Sequence, residues 1–205
     1  MSSTGPRIAP LPTDEWSDEE TAALRAVYGD KPADALLSDD PDSQPMPNVL
    51  ATLMRHPALA RPFLKYNHAL MTTPTVAPRL RELMVLRVAY RTRSTYEWAQ
   101  HVRLAPRFEI TAEELDAIAR GADAGVWSPL ETELLRATDQ LLDHYRIDDD
   151  TWSRLAEHLD EHQLIEVAFI VGTYTCLAMV FNSVGLELDP DLDPSAAPPL
   201  PDSDA

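Results

Sequence analysis

The chain has 205 residues, and its 34 Asp and Glu against 17 Lys and Arg give a formal net charge of −17. This charge leaves no basic footprint for nucleic acid and opposes attraction to anionic membranes, so we expect neither as a partner. The length supports a single core, and the lone cysteine, Cys176, excludes an internal disulfide and fits a reducing, cytoplasmic compartment.

The first part of the chain is predicted to be an extension with one short helix. Residues 1–47 are acidic and Pro-rich, and Ser17-Asp-Glu-Glu20 has the capping-box spacing that opens a helix. That helix should end near Gly29. The four prolines within residues 30–47 predict an irregular connector.

From Asn48 onward the pattern is helical. Asn48 is predicted to be an N-cap, and Pro57 the first residue of the following helix. No strand alternation occurs, so we predict an all-α helical bundle from Asn48 onward and a disordered acidic tail over residues 189–205. Helices are expected at about 49–55, 57–71, 77–91, 94–105, 111–120, 128–145, 148–158 and 161–184.

The last of these helices is unusually apolar. Residues 164–186 carry one charged residue, Glu166, and are long enough to span a bilayer. Gly172 and Asn182 lower the hydrophobicity, however, and basic flanking residues are missing. We therefore predict a buried helix at the centre of a bundle or at an oligomer interface, with Cys176 as a small buried hydrophobe.

Two carboxylates and a histidine stand out among apolar residues of two consecutive predicted helices. Helical spacing places Ser94, Glu97 and His101 on one stripe, and Glu82 lies on an apolar face of the preceding helix. Burial of these groups together would separate their pKa values, as general acid/base catalysis requires. The alternative is structural, because an i,i+4 Glu-His pair is common on solvated helices and Glu82 could pair with Arg79.

This region resembles the carboxymuconolactone decarboxylase family, which includes the alkylhydroperoxidase D-like proteins. The peroxidase branch carries Cys-x-x-Cys-x-x-x-His with a glutamate twelve residues before the first cysteine. Here His101 and Glu82 match that histidine and glutamate, whereas Ser94 and Glu97 stand at the cysteine positions. The resemblance runs from about residue 48 to 188 and implies a cysteine-free branch. It also implies homotrimers or homohexamers that work without a cofactor.

The resemblance implies an enzyme acting on a small carboxylate or lactone by decarboxylation, isomerisation or hydration. His101 would be the general acid/base, Glu82 would orient it and raise its basicity, and Glu97 would be a second acid/base group. Thiol peroxidase activity is excluded because Ser94 and Glu97 supply no thiolate. The residues expected to bind substrate are Ser94, Tyr96, Arg79 and Arg87.

Two other functions stay open at this level. The chain could be a catalytically degenerate family member that serves as an oligomeric binding or scaffold protein. It could also be a metal-dependent enzyme, because Glu82, Glu97 and His101 are plausible ligands for a divalent cation. A second possible metal pair, His158 and His162, straddles a predicted helix break and is expected to be a solvated turn.

Overall fold

The computed structural model describes residues 5–38, 40, 43, 45–193 and 197–201, and every regular element within these ranges is helical. The all-α prediction is therefore confirmed. Short 3-10 turns at Thr13–Glu15, Ala105–Phe108 and Gly121–Ala124 accompany the α-helices. The α-helices are α1 (Asp18–Tyr28), α2 (Asp30–Leu36), α3 (Asn48–Leu53), α4 (Pro57–Thr72), α5 (Pro78–Thr92), α6 (Thr95–Leu104), α7 (Ala112–Ile118), α8 (Pro129–His144), α9 (Asp149–Ala156) and α10 (Glu161–Val184).

Polar caps begin several of these helices, as the sequence predicts. Ser17, Thr111 and Ser128 each close a capping box with a glutamate three residues later. Asp148 accepts a hydrogen bond from the backbone N–H of Thr151 at 2.7 Å and so caps α9. These side chains satisfy donors that a helix start leaves without partners.

Two local predictions are wrong in the N-terminal part. Residues 30–36 form α2 where a connector was expected, because Pro32 lies in the first turn of the helix, where its missing N–H costs nothing. The extension thus holds two helices. Asn48 is the first residue of α3 and not its N-cap; its side-chain amide donates to the carbonyl oxygens of Glu187 and Leu188.

The chain divides into two compact units, residues 1–73 with 183–189 and residues 74–182 with 190–205. The first has a core built from α1, α3 and α4, around Leu24, Met54 and Leu64. The second contains α5 to α9 and most of α10. The boundaries at 48 and 188 inferred from family resemblance remain a prediction.

In the second unit the C-terminal tail packs on α6. The indole N–H of Trp98 donates to the carbonyl oxygen of Pro198 at 2.7 Å, and Ala197 and Leu200 lie against the apolar cluster around Leu86. Disorder was expected for this acidic segment. For residues 197–201 the structure differs, because apolar side chains between the prolines find a hydrophobic surface.

A series of ion pairs joins α5 to α8. Arg79, Arg87 and Arg91 pair with Glu131, Asp139 and Asp143, and in each pair the residue numbers differ by 52. Both helices therefore run in the same direction. Between the first two pairs, Leu83 and Leu135 are buried in the apolar cluster of this unit.

One side of α10 is exposed and apolar. Glu166, its only charge after the first turn, turns back to accept hydrogen bonds from the backbone of Thr75 and Val76. Cys176 is exposed, so the prediction of a buried thiol is wrong. Within α10 an 18-residue window has a mean hydropathy of 2.0 and is 50% buried; by length and composition it could cross a membrane, but core helices of soluble proteins share these properties. Large exposed side chains on this helix are Ile165, Phe169 and Met179.

Candidate active site

A two-residue connection between α5 and α6 brings the candidate residues together. Arg93 ends α5 in the left-handed conformation with a φ of 55°, and Ser94 precedes the first residue of α6. The chain thereby reverses, and α6 packs against α5. Glu82 on α5 and His101 on α6 face each other across this contact.

The central contact of the site is between Glu82 and His101. His101 Nδ1 lies 2.7 Å from Glu82 Oε1, a distance typical of a charge-assisted hydrogen bond. Glu82 is 1% exposed and His101 is 9% exposed, so solvent screens this pair very little. The structural alternative, a Glu82–Arg79 pair, does not form: Arg79 instead contacts Glu114 and Glu131.

Glu97 is a buried carboxyl group in the same site. It is 3% exposed, and neither of its oxygens has a hydrogen-bond partner of standard geometry among the residues that the structure describes. Burial raises the pKa of Glu97 to about 7, although the Ser94 side chain and the charge of His101 oppose the increase. Near neutral pH this carboxyl group therefore exists in both protonation states.

The pKa of His101 is raised above its ordinary value. Burial lowers it, but the charge of Glu82, the hydrogen bond that Glu82 accepts from His101 and the charge of Glu97 together outweigh that effect; the charge of Arg81 opposes them. His101 and Glu97 therefore both hold their protons more tightly than usual, and the site contains two groups that can donate and accept protons.

Further polar atoms of the site are buried without partners. Within the described part of the chain, Glu82 Oε2 and Ser94 Oγ have no hydrogen-bond partner of standard geometry, and Ser94 is fully buried. Buried polar atoms of this kind are rare because each costs about 1–3 kcal/mol. Together with the two oxygens of Glu97 they are a group of buried polar atoms on α5, on α6 and in the turn between them.

The predicted substrate-binding residues are not all in this site. Arg79 pairs with Glu114 and Glu131, and Arg87 pairs with Asp139 and donates to the Ile118 carbonyl oxygen. These contacts hold α5 against α7 and α8 and give no support to a role in substrate binding. Sequence spacing could not reveal the carboxylates that these arginines meet.

Tyr96 lies on α6 near the site but faces a different partner. Its ring is edge-on to Phe181, with centroids 5.5 Å apart, and its hydroxyl accepts a hydrogen bond from Gln100. The residue is buried. Its predicted contact with substrate stays a prediction.

Two residues that sequence reasoning did not select lie close to His101. Tyr174 on α10 stacks edge-on against the His101 ring, with centroids 5.3 Å apart and an interplanar angle of 82°. Arg81, a buried residue on α5, is near enough to lower the pKa of His101. Arg81 directly precedes Glu82 in sequence, which was an available signal. Tyr174 sits in an apolar run that carries none.

The geometry does not favour a metal centre. Across the ranges the structure describes, no group of three or more His, Cys, Asp or Glu side chains is placed to hold a metal ion. Glu82, Glu97 and His101 therefore do not form such a group. His158 and His162 are exposed and lie on either side of the break between α9 and α10.

Comparison with known proteins gives a consistent fold. The model of the carboxymuconolactone decarboxylase family matches residues 57–140. No curated protein is significantly similar to the chain in sequence. The fold resembles the crystal structure of an alkylhydroperoxidase AhpD core, an uncharacterized peroxidase-related protein from Ralstonia eutropha JMP134. Identity is 17%, the TM-score is 0.70, and the match covers 90% of this chain and 94% of that one.

Other solved structures share this fold. An uncharacterized peroxidase-related protein from Silicibacter sp. TM1040 is 12% identical with a TM-score of 0.72, and the match covers 93% of this chain and 97% of that one. The debrominase Bmp8, in complex with 2,3,4-tribromopyrrole, is 16% identical with a TM-score of 0.69, and the match covers 95% of this chain and 97% of that one. At these identities the likeness concerns the fold.

Proposed function

We propose that this chain is an enzyme of the carboxymuconolactone decarboxylase family, whose model matches residues 57–140, and that it uses acid/base chemistry instead of thiol chemistry. The observation that carries the proposal is the buried contact between His101 Nδ1 and Glu82 Oε1, with Glu97 beside it. A histidine oriented by a carboxylate is a recurrent general acid/base arrangement.

The proton-transfer roles follow from the contacts. Because Nδ1 of His101 is engaged by Glu82, Nε2 is the nitrogen that remains for exchange with a substrate. When Nε2 takes a proton, the adjacent Glu82 carboxylate stabilises the resulting imidazolium. Glu97, whose pKa is about 7, can return a proton to another atom of the substrate. One group thus acts as base while the other acts as acid.

We propose decarboxylation, isomerisation or hydration of a small carboxylate or lactone as the reaction. Isomerisation and hydration need one proton removed and another delivered, whereas decarboxylation releases CO2 and needs a proton delivered to the carbon that loses it. The His101 and Glu97 pair can make these transfers. A substrate carboxylate needs a nearby positive charge, and Arg81 is the buried guanidinium whose charge acts on His101. We therefore add Arg81 to the predicted Arg79 and Arg87 as a proposed carboxylate partner.

Thiol peroxidase chemistry does not fit this site. Ser94 and Glu97 hold the positions of the family cysteines, and the only cysteine of the chain, Cys176, lies on the exposed side of α10. Reduction of a peroxide through a disulfide needs two adjacent thiols.

The test is a screen of small lactones and carboxylates, with product detection by mass spectrometry. On any substrate found, His101→Gln and Glu82→Gln should each lower kcat by on the order of 10²–10⁴-fold. His158→Gln, at an exposed histidine, is the matched control and should keep full activity. Full activity in His101→Gln and Glu82→Gln would refute the proposed acid/base roles, whereas a native chain that turns over none of the compounds would favour an oligomeric binding or scaffold protein.

We further propose that the chain assembles as a homotrimer or homohexamer, as the family resemblance implies. The support is the apolar exposed side of α10, where Ile165, Phe169 and Met179 are each more than half exposed. A second copy of α10 would remove this surface from water.

A further inference from the structure

Two edge-to-face aromatic contacts join α6 to α10. Tyr96 meets Phe181 with ring centroids 5.5 Å apart, and His101 meets Tyr174 with centroids 5.3 Å apart. From Tyr96 to His101 the residue numbers rise along α6, whereas those of their partners on α10 fall from Phe181 to Tyr174. The two helices are therefore antiparallel. Both contacts are edge-to-face and lie between the same two helices, but only the contact of His101 with Tyr174 includes a catalytic residue of the proposed active site.

Orienting an imidazole ring requires two constraints. The contact between Nδ1 and Glu82 Oε1 determines which edge of the His101 ring faces α5. A hydrogen bond at one edge, however, still permits the ring to tilt around it. The Tyr174 ring, inclined at 82° to the imidazole and 4% exposed, restricts that second motion.

The surroundings keep the Tyr174 hydroxyl protonated. Burial raises the pKa of this phenol, and the charges of Glu82 and Glu97 raise it further, whereas Arg81 opposes them. These three residues are the charged groups of α5 and α6 that act on it. The side chain therefore stays neutral wherever His101 and Glu97 titrate, and it adds no further charge to the site.

We propose that Tyr174 is a positioning residue of this site, whose ring fixes the plane of the His101 imidazole while Glu82 selects its edge. The inference rests on the proposed function, because it matters for turnover only if Nε2 of His101 exchanges protons with substrate. When both the plane and the edge of the His101 ring are fixed, Nε2 points in a single direction. A displacement of about 1 Å at such a group can cost on the order of 100-fold in rate.

The test compares Tyr174→Phe, Tyr174→Leu and the matched control Phe181→Leu in the full chain. The readouts are the pKa of His101 and the proton position on its ring, from ¹⁵N NMR of histidine-labelled protein, with His101→Gln to assign the signals. Tyr174→Phe keeps the ring and should match the native protein. Tyr174→Leu should move the His101 pKa toward 6.5 and mix the two neutral ring forms, whereas Phe181→Leu should leave both readouts native.

Each alternative result overturns the inference. If Tyr174→Leu lowers stability as Phe181→Leu does but leaves the His101 signals native, Tyr174 only packs. If Tyr174→Phe alters the signals as strongly as Tyr174→Leu, the hydroxyl acts and not the ring plane. Should Tyr174→Leu not fold, Tyr174→Met gives a ring-free side chain of similar size. These NMR readouts need no substrate, so they stay informative even if His101→Gln retains full turnover and the proposed function fails.

Discussion

Glu82 and His101 lie on different helices, yet their side chains meet at 2.7 Å in the interior of the protein. Glu97, on the same helix as His101, is equally buried but has no carboxylate-to-nitrogen contact of this kind among the residues described. Two glutamates beside one histidine thus differ in their surroundings. This difference separates their roles and makes each of them testable.

Replacing Glu82 by Gln should lower the pKa of His101 below 6.5. The charge and the hydrogen bond that raise this pKa are then lost or weakened, while burial and the charge of Arg81 still lower it. NMR titration of the histidine ring signals measures the change. A His101 pKa that stays raised in the variant would show that Glu82 is not its main determinant.

Glu97→Gln should stabilise the protein at alkaline pH. The pKa of Glu97 rises from 4.5 to about 7 on folding, so the native state binds the proton more tightly than the unfolded state. Stability from this group is full below pH 4.5 and is lost as pH rises to 7, by about 3 kcal/mol. Urea unfolding at pH 4 and pH 8 should show the variant gaining relative to the native chain, and an equal difference at both pH values would contradict the raised pKa.

His101 should contribute stability in acid that disappears in alkali. Its pKa in the folded protein is raised, so the contribution is full below 6.5 and is lost as pH rises through the folded-state value. In His101→Gln the free energy of unfolding, measured by urea unfolding, should therefore depend less on pH above 6.5. An unchanged pH dependence in the variant would contradict the raised pKa of His101.

Asp139→Asn and Asp143→Asn should differ greatly in stability. The Arg87 side chain is 8% exposed, and losing Asp139 leaves its charge buried without a carboxylate, which costs about 3–5 kcal/mol. Asp143 is 48% exposed, and losing its pair with Arg91 should cost about 0–1 kcal/mol. Chemical unfolding measures both. Equal losses would mean that Arg87 finds enough compensation at the Ile118 and Ala119 carbonyl oxygens.

A chain ending at Asp193 should show altered tryptophan fluorescence and a lower Tm. The indole of Trp98 loses its hydrogen bond to Pro198 and its cover by Leu200, at a cost of about 1 kcal/mol for the hydrogen bond. The fluorescence difference between short and full chains should vanish in a Trp98→Phe background. A difference that persists there would come from another tryptophan and would count against tail packing on α6.

Phe169→Asp should shift the protein from trimer or hexamer to monomer in light scattering. The substitution places a charge in the middle of the exposed apolar side of α10. Trp152→Asp, at an exposed aromatic residue of α9, is the control and should keep the native mass. A monomeric native protein would refute the proposed assembly directly.

Local rules gave most of the helices. The capping boxes at Ser17, Thr111 and Ser128 predicted three helix starts because the cap and its partner are only three residues apart. The prediction of a connector is wrong at α2, because Pro32, one of the prolines on which it rests, lies in the first turn of that helix. Hydrophobic periodicity does not show which side of α10 faces solvent, because packing against other helices decides it. The exposure of Cys176 could therefore not be predicted.

The candidate site was only half accessible from sequence. Helical spacing and the family resemblance pointed to Glu82, Glu97 and His101, and the contact between Glu82 and His101 followed from the short turn between two helices. Tyr174 comes from a helix more than 70 residues further along the chain, so no local pattern could relate it to His101. Arg79 and Arg87 pair with carboxylates on later helices, so no local pattern could show these pairs either.

The constant offset of 52 between the paired residues of α5 and α8 has a consequence for the position of α5. If α5 slid by one helical turn along α8, Arg79 would face Leu135 and Arg87 would face Asp143, so the pairs of α5 would be mismatched at several points. The pairing therefore fixes the position of α5 along the axis of α8, and with it the position of Glu82. The carboxylate that orients His101 therefore keeps its place only while the arginines of α5 stay paired with α8.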